Sequence, residues 1–268
     1  MLTRALKMTF WVAYDHMGKL IVVNLLCAVV LAFPLYLAGA AILTRDAHGL
    51  FRVSAPLLVL ALGGLFPVLG AGIAHMLKEL IDTRDGAIAT FFVGVRRFWW
   101  RALRLGLAYS AAFGCLAVSV WFYPVRLGQR WPVVGYILGA IAVWALVLLL
   151  LSAMYALPAL VQRQASVFAT MKLSLLLVID NPLATLGMAA HLAMLATCAL
   201  VPPVFFFIAI SLALVLVSSM YEIFARKYAA QDAHTGQGRL PVRAIDFGDG
   251  QDDYLNRGFR DFLFPWKG

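Results

Sequence analysis

The sequence predicts an all-α polytopic membrane protein, with six transmembrane helices accompanied by interfacial amphipathic helices. Three observations carry that expectation. Of 268 residues, 63% are apolar and 13% charged, with a mean hydropathy of +0.88. That is about half the charge density a water-facing surface carries. Six apolar runs are each long enough, at about 1.5 Å per residue, to cross a hydrocarbon core of about 30 Å. The basic residues gather on alternate connections between those runs. The composition excludes a soluble enzyme, a fibrous chain and a disordered one. The runs lack the period-two alternation of barrel strands, which leaves helices as the spanning element.

The elements follow in chain order. Residues 2–17 form an amphipathic helix: Leu2, Leu6, Phe10, Ala13 and Met17 share one face, and Arg4, Lys7, Tyr14 and Asp15 lie opposite. It is expected to lie in the plane of the membrane. The first two spans are 20–44 and 56–77, the second crowded with Gly63, Gly64, Gly70 and Gly72, which permit close helix approach. Between spans two and three, Ile88, Phe91, Phe92, Val95 and Trp99 recur at helical spacing beside Arg96, Arg97, Arg101 and Arg104. Aromatic and basic residues together mark the headgroup layer, so Arg96, Arg97, Trp99, Trp100 and Arg101 are read as membrane-interface residues. Spans three and four are 103–123 and 133–156. A half-buried interfacial helix at 166–179, with Lys172 reaching for the surface, stops before Asp180, Asn181 and Pro182. Asn181 is expected to cap the fifth span, 182–201, with Pro182 at its first position. The sixth span, 204–224, closes at Glu222, Arg226 and Lys227, and Glu222 and Arg226 are spaced for an i, i+4 ion pair. Prolines 34, 67 and 158 lie within or at the end of spans, where they kink or pack.

The chain thus divides into a six-span bundle, 1–227, and a polar tail, 228–268. The tail is rich in Gly, Asp and Gln before an aromatic and basic end. Its Asp246–Gly248 tripeptide matches the kinase DFG by chance alone. Its acidic residues around Gly250 lack the terminal Glu and the spacing of a calcium loop. The final Arg257, Phe259, Arg260, Phe262, Phe264 and Trp266 form a candidate partner-docking segment, because aromatic residues and Arg anchor protein interfaces.

Net charge is +9. With the N-terminus inside, 18 of the 22 basic residues fall on inner segments. Arg45, Arg52, Arg126 and Arg130 remain outside, so both termini are expected in the cytoplasm. The surplus is a topology signal, and no nucleic-acid partner is expected. Cys27, Cys115 and Cys198 each stand alone in an apolar run and read as core-filling thiols, without metal or disulfide.

Polar residues inside a span are the candidates for chemistry. His191, about nine residues into the fifth span, is one; a neutral imidazole there hydrogen-bonds a neighbouring helix or serves a ligand. Asn24 in the first span is the other, and its expected task is to link helices. The first five interiors hold no carboxylate, which argues against an ion-driven carrier. Nucleophile-elbow, zincin, Walker A and Rossmann fingerprints are all absent, so neither catalysis nor a cofactor is expected.

The order of segments resembles the YesL-like family of bacterial integral membrane proteins over roughly residues 18–224. The resemblance rests on KLIVVNLLCAVV in the first span and on LGAGIAHMLKEL followed by FFVGVRRFWWRALRLGL. It extends through YALPALV to DNPLATLGMAA at the start of the fifth span. It implies a multi-pass protein of the bacterial inner membrane without agreed catalytic residues, acting as an accessory component beside carbohydrate importers. The expected function is therefore a non-catalytic accessory or scaffold subunit, whose partners are the lipid bilayer and other membrane proteins such as transport subunits. A small-molecule transporter or channel is the alternative, and an intramembrane enzyme centred on His191 the third reading.

Overall fold

In the computed structural model, which describes residues 1–43, 54–84, 86–233 and 253–257, every regular element is helical. The chain is an all-α polytopic membrane protein. Helix α1 (Leu2–Asp15) runs into α2 (Met17–Leu43) through His16. Helix α3 (Pro56–Thr83) contains a π-helical stretch, Val59–Leu65, and α4 (Ile88–Leu127) ends in another, Tyr123–Leu127. Helix α5 (Pro132–Arg163) follows after a tight turn. Helices α6 (Val167–Asp180) and α7 (Pro182–Cys198) meet at an angle of 104°. Helix α8 (Pro202–Asp232) has a π-helical stretch at Phe205–Ala209, and one further turn, α9 (Asp253–Asn256), packs against α1.

Five of these helices, α2, α3, α4, α5 and α8, are individually long and apolar enough to cross a membrane, and the bent pair α6–α7 completes up to six crossings. The expected fifth span is therefore one arm of a broken pair. The 17 residues of α7 follow a sharp corner because Pro182 has no N–H with which to continue α6. The corner falls where the sequence places it, after Asp180, and Ser166 starts α6 by accepting a hydrogen bond from Ala169 N at 3.4 Å.

The two largest boundary shifts are outward, and α3 and α5 likewise run past their expected ends at 77 and 156. The expected interfacial piece before span three is no separate element: no breaker separates Trp100 from Leu103, and one helix of 40 residues, about 60 Å long, runs through. It is about twice the thickness of a hydrocarbon core, so the Arg-bearing end stands outside it. Likewise α8 does not stop at Phe224 but continues through Arg226 and Lys227 to Asp232, with Arg226 paired to Glu222 and Lys227 to Asp180. Along α4, Arg104 lies over Trp100 at 5.3 Å and Arg126 over Trp121 at 5.9 Å. These aromatic and basic pairs are 21 residues apart in the sequence. At about 1.5 Å per residue they stand about 31 Å apart, the spacing of two membrane interfaces.

Helix α8 is the centre of the bundle, with 61% of its apolar window buried, against 11% for α4 and 17% for α5. The α4–α5 hairpin thus presents most of its surface outward. Helix α1 packs Ala5, Met8, Trp11 and Val12 against the bundle, while Phe10 and Met17 stay about half exposed. Of the face expected to meet lipid, only Phe10 and Met17 turn outward, while Leu6 and Ala13 pack against the bundle and Leu2 lies against Gly187 of α7. Of the three cysteines, Cys27 fills the core as expected, but Cys115 and Cys198 are exposed on outer helix faces.

The crossing of α3 and α4 is set by Pro67. A proline cannot bond the carbonyl four residues earlier, and here that carbonyl belongs to Gly63 within the π-helical stretch. Gly106 of α4 lies directly against it: a Cβ at Gly106 would stand 2.1 Å from Gly63 O. Gly106→Ala is expected to push the two helices apart and destabilise the protein by about 1–3 kcal/mol. Thermal unfolding in detergent reads the change, and an unaltered midpoint would show that the close approach is not needed.

Candidate functional site

The break between α6 and α7 assembles a polar cluster around the buried Lys227 and Asn181, with Asp180 at its exposed edge. Lys227 of α8 donates to Asp180 Oδ2 at 3.1 Å and to Asn181 Oδ1 at 2.7 Å, and its ammonium lies 4.9 Å from the Tyr228 ring centroid. Asn181 Nδ2 donates to Tyr228 Oη at 2.9 Å and to Leu177 O at 3.3 Å. The Tyr228 hydroxyl donates to Asp180 Oδ2 and closes the ring of contacts. Asn181 occupies the N-cap position expected of it, but its side chain makes no cap bond. It joins α8 instead, because a buried ammonium is a stronger partner than a backbone N–H. The cation also sits where the last carbonyls of α6 point, the favoured end of that helix for positive charge. Sequence reasoning missed this cluster. Asp180 and Asn181 read as a helix break and Lys227 as the end of a span, and nothing in the order of residues pairs positions 46 and 47 apart.

Asn24 is fully buried in α2 and uses its whole amide. Its Nδ2 donates to Phe205 O at 2.8 Å and to Phe206 O at 2.7 Å, and its Oδ1 accepts from Ser211 N at 2.8 Å and Ser211 Oγ at 3.2 Å. A π-helical stretch shifts the backbone register and leaves such groups without their usual partners. Asn24 satisfies them and so joins α2 to α8 at membrane depth, the linking task the sequence assigned to it.

His191 lies apart from both. Its Nδ1 meets Gly187 O of its own helix at 2.7 Å, so the imidazole is tied to α7 and bridges to no neighbouring helix through that nitrogen. Tyr155 links α5 to α7 by donating to Thr185 Oγ1 at 3.2 Å.

The interface residues divide by direction. Arg97 Nη2 donates to Gln164 Oε1 at 3.2 Å, and Arg101 Nη1 donates to Gln164 O at 3.0 Å, so both turn toward the corner between α5 and α6. Gln164 is left-handed there, with φ 50°. Arg96, Trp99 and Trp100 face outward. Arg101 and Arg104 also line a recess of about 460 Å³ against the start of α6.

Of the expected docking segment, only Arg257 falls among the described residues; Phe259, Arg260, Phe262, Phe264 and Trp266 lie outside them, as do the acidic tail positions 246–252. Arg257 is engaged within the chain. It pairs with Asp15 and lies over Trp11 at 5.2 Å. Tyr254 is buried beside it, donating to Leu80 O at 3.4 Å, in contact with His16 Nε2 at 3.2 Å and under Arg84 at 5.0 Å. Lys7 donates to Leu255 O. The segment 253–257 therefore clasps α1 and the end of α3.

Burial holds His16 below its ordinary pKa, helped by Lys19, Arg84 and Arg257 and opposed by Asp15. A released clasp frees His16 toward its usual value near 6.5, so the released form binds more protons below that pH. The clasp is expected to be fully formed above pH 6.5 and to weaken as the pH falls below it. Hydrogen exchange of α1 at pH 7.5 and 5.5, corrected for intrinsic rate, measures the effect; His16→Gln should abolish the difference, and a difference that persists would refute the assignment.

Comparison of the chain with protein family models, with curated proteins and with solved structures gives no match.

Proposed function

We propose that the chain is a non-catalytic accessory or scaffold subunit of a membrane complex. The observation that supports this reading is the use to which the polar interior is put. The amide of Asn24 is consumed in joining α2 to α8, and Lys227, Asp180, Asn181 and Tyr228 are consumed in closing the α6–α7 break. Groups so committed hold helices in place. What the protein offers outward is the apolar flank of the α4–α5 hairpin.

The proposed setting is the bacterial inner membrane with both termini cytoplasmic. Among the described residues every charged side chain except Arg126 and Arg130 lies at the end of the bundle that carries α1 and α9, which agrees with the positive-inside rule. The resemblance to the YesL-like family adds a carbohydrate importer as the proposed neighbour. A mild-detergent pull-down of the full chain, with mass spectrometry, tests the proposal. A transport subunit in fixed stoichiometry is expected. A lone species that moves or converts a solute after reconstitution would sink it.

The broken α6–α7 pair favours a second reading as a transporter, because discontinuous helices also form substrate sites. Cysteine accessibility at residues 181 and 185 separates the two: labelling from both sides of the membrane favours a path, and protection favours the scaffold.

A further inference from the structure

A half-open groove of about 590 Å³ lies between the π-helical stretch of α3 and the helices α4 and α5. The groove is lined by Val59 and Leu62 of α3, Phe113 and Gly114 of α4 and Leu150 of α5, with Tyr109 and Ser110 its polar members. Its volume falls in the range of ligand pockets, about 300–1,000 Å³. On α4 it extends from Leu105 to Gly114, about 14 Å of helix, between the aromatic pairs at Trp100 and Trp121. It therefore lies at hydrocarbon depth.

The same stripe of α4 leads out of the groove to a cation. Ser110, Gly106, Leu103, Trp99 and Arg96 recur at spacings of four, three, four and three, which places them on one helix face. Trp99 is about half exposed, and Arg96 is exposed with no hydrogen-bond or ionic partner among the described residues. Arg97 and Arg101, by contrast, are turned to Gln164. An unpaired guanidinium at the interface, above an apolar groove on the same face, complements one class of molecule: an anionic phosphodiester with a long acyl chain.

We propose that this groove is a specific phospholipid site, with one acyl chain between α3, α4 and α5 and the lipid phosphate on Arg96. Gly114 allows a clean test, because a Cβ there meets nothing within 4 Å, so a larger side chain enters the groove without displacing the helices. The full-length protein is placed in bilayers of phosphatidylethanolamine and phosphatidylglycerol, extracted mildly and weighed by native mass spectrometry. The wild type is expected to retain one phospholipid. Gly114→Leu is expected to lower its occupancy at least fivefold at an unchanged unfolding temperature, and Leu150→Trp, which fills the groove from the α5 side, serves if the first variant unfolds. Arg96→Gln is expected to lower occupancy severalfold and to remove any preference for phosphatidylglycerol, whereas Arg130→Gln, at the opposite end of the bundle, leaves it unchanged. Equal occupancy in the wild type and a folded groove variant would overturn the site. Loss with Arg130→Gln equal to that with Arg96→Gln would reduce it to general attraction of lipid to basic residues.

Discussion

Lys227→Met is expected to destabilise the protein by about 2–3 kcal/mol. Removing one member of a buried ion pair costs about 3–5 kcal/mol because the other is stranded, and the lower range applies since the Asp180 side chain keeps 30% of its exposure. The Asp180 carboxylate, at the C-terminal end of α6 where the helix dipole also opposes negative charge, keeps the Tyr228 hydroxyl but loses its cation. Asp180→Asn in the same chain removes that charge and is expected to recover most of the loss. Equilibrium unfolding in mixed micelles checks both values. A double variant no more stable than Lys227→Met would show that the ammonium acts through packing or through Asn181 instead.

Asn24→Leu is expected to cost about 2–3 kcal/mol. It leaves the carbonyls of Phe205 and Phe206 and the Ser211 N–H without the partner they have at membrane depth. Each unsatisfied group there carries a desolvation penalty of about 1–3 kcal/mol, and partial relaxation of the π-helical stretch toward α-helix keeps the total below the sum. Thr197→Ala is the comparison, since that hydroxyl only bonds its own helix at Ala193 O on an exposed face. A loss below about 0.5 kcal/mol for Asn24→Leu, similar to that of Thr197→Ala, would mean that α2 is held to α8 by apolar packing alone.

The elements were legible in the sequence because length and hydropathy are local properties. Pro182 announces a helix start, Ser166 opens α6, and the uninterrupted runs give the spans. The limits of the helices were less legible. Charge marks where the membrane ends and not where a helix ends, and α4 and α8 continue beyond their apolar runs because Arg97, Arg101, Arg226 and Lys227 find partners there. Of the polar interior, Asn24 could be singled out as a lone amide in an apolar run. The partner it serves is a π-helical stretch with no sequence signature of its own. Lys227 and Asp180 were visible singly, as punctuation, but their meeting depends on the corner at Pro182 folding α6 back toward α8. Arg257 shows the same limit: its composition reads as a docking residue, and tertiary structure supplies Asp15 and Trp11 as what it docks on.

Carrying Asp180→Asn and Lys227→Met together in the full-length protein, and measuring what copurifies with it in mild detergent, tests most directly whether the polar interior holds helices or performs chemistry. The same membrane partner in the same stoichiometry as the wild type is the predicted result, since a neutral pair still closes the α6–α7 break. A double variant of near wild-type stability that has lost its partner would contradict the scaffold reading and make the buried pair a working part of the protein.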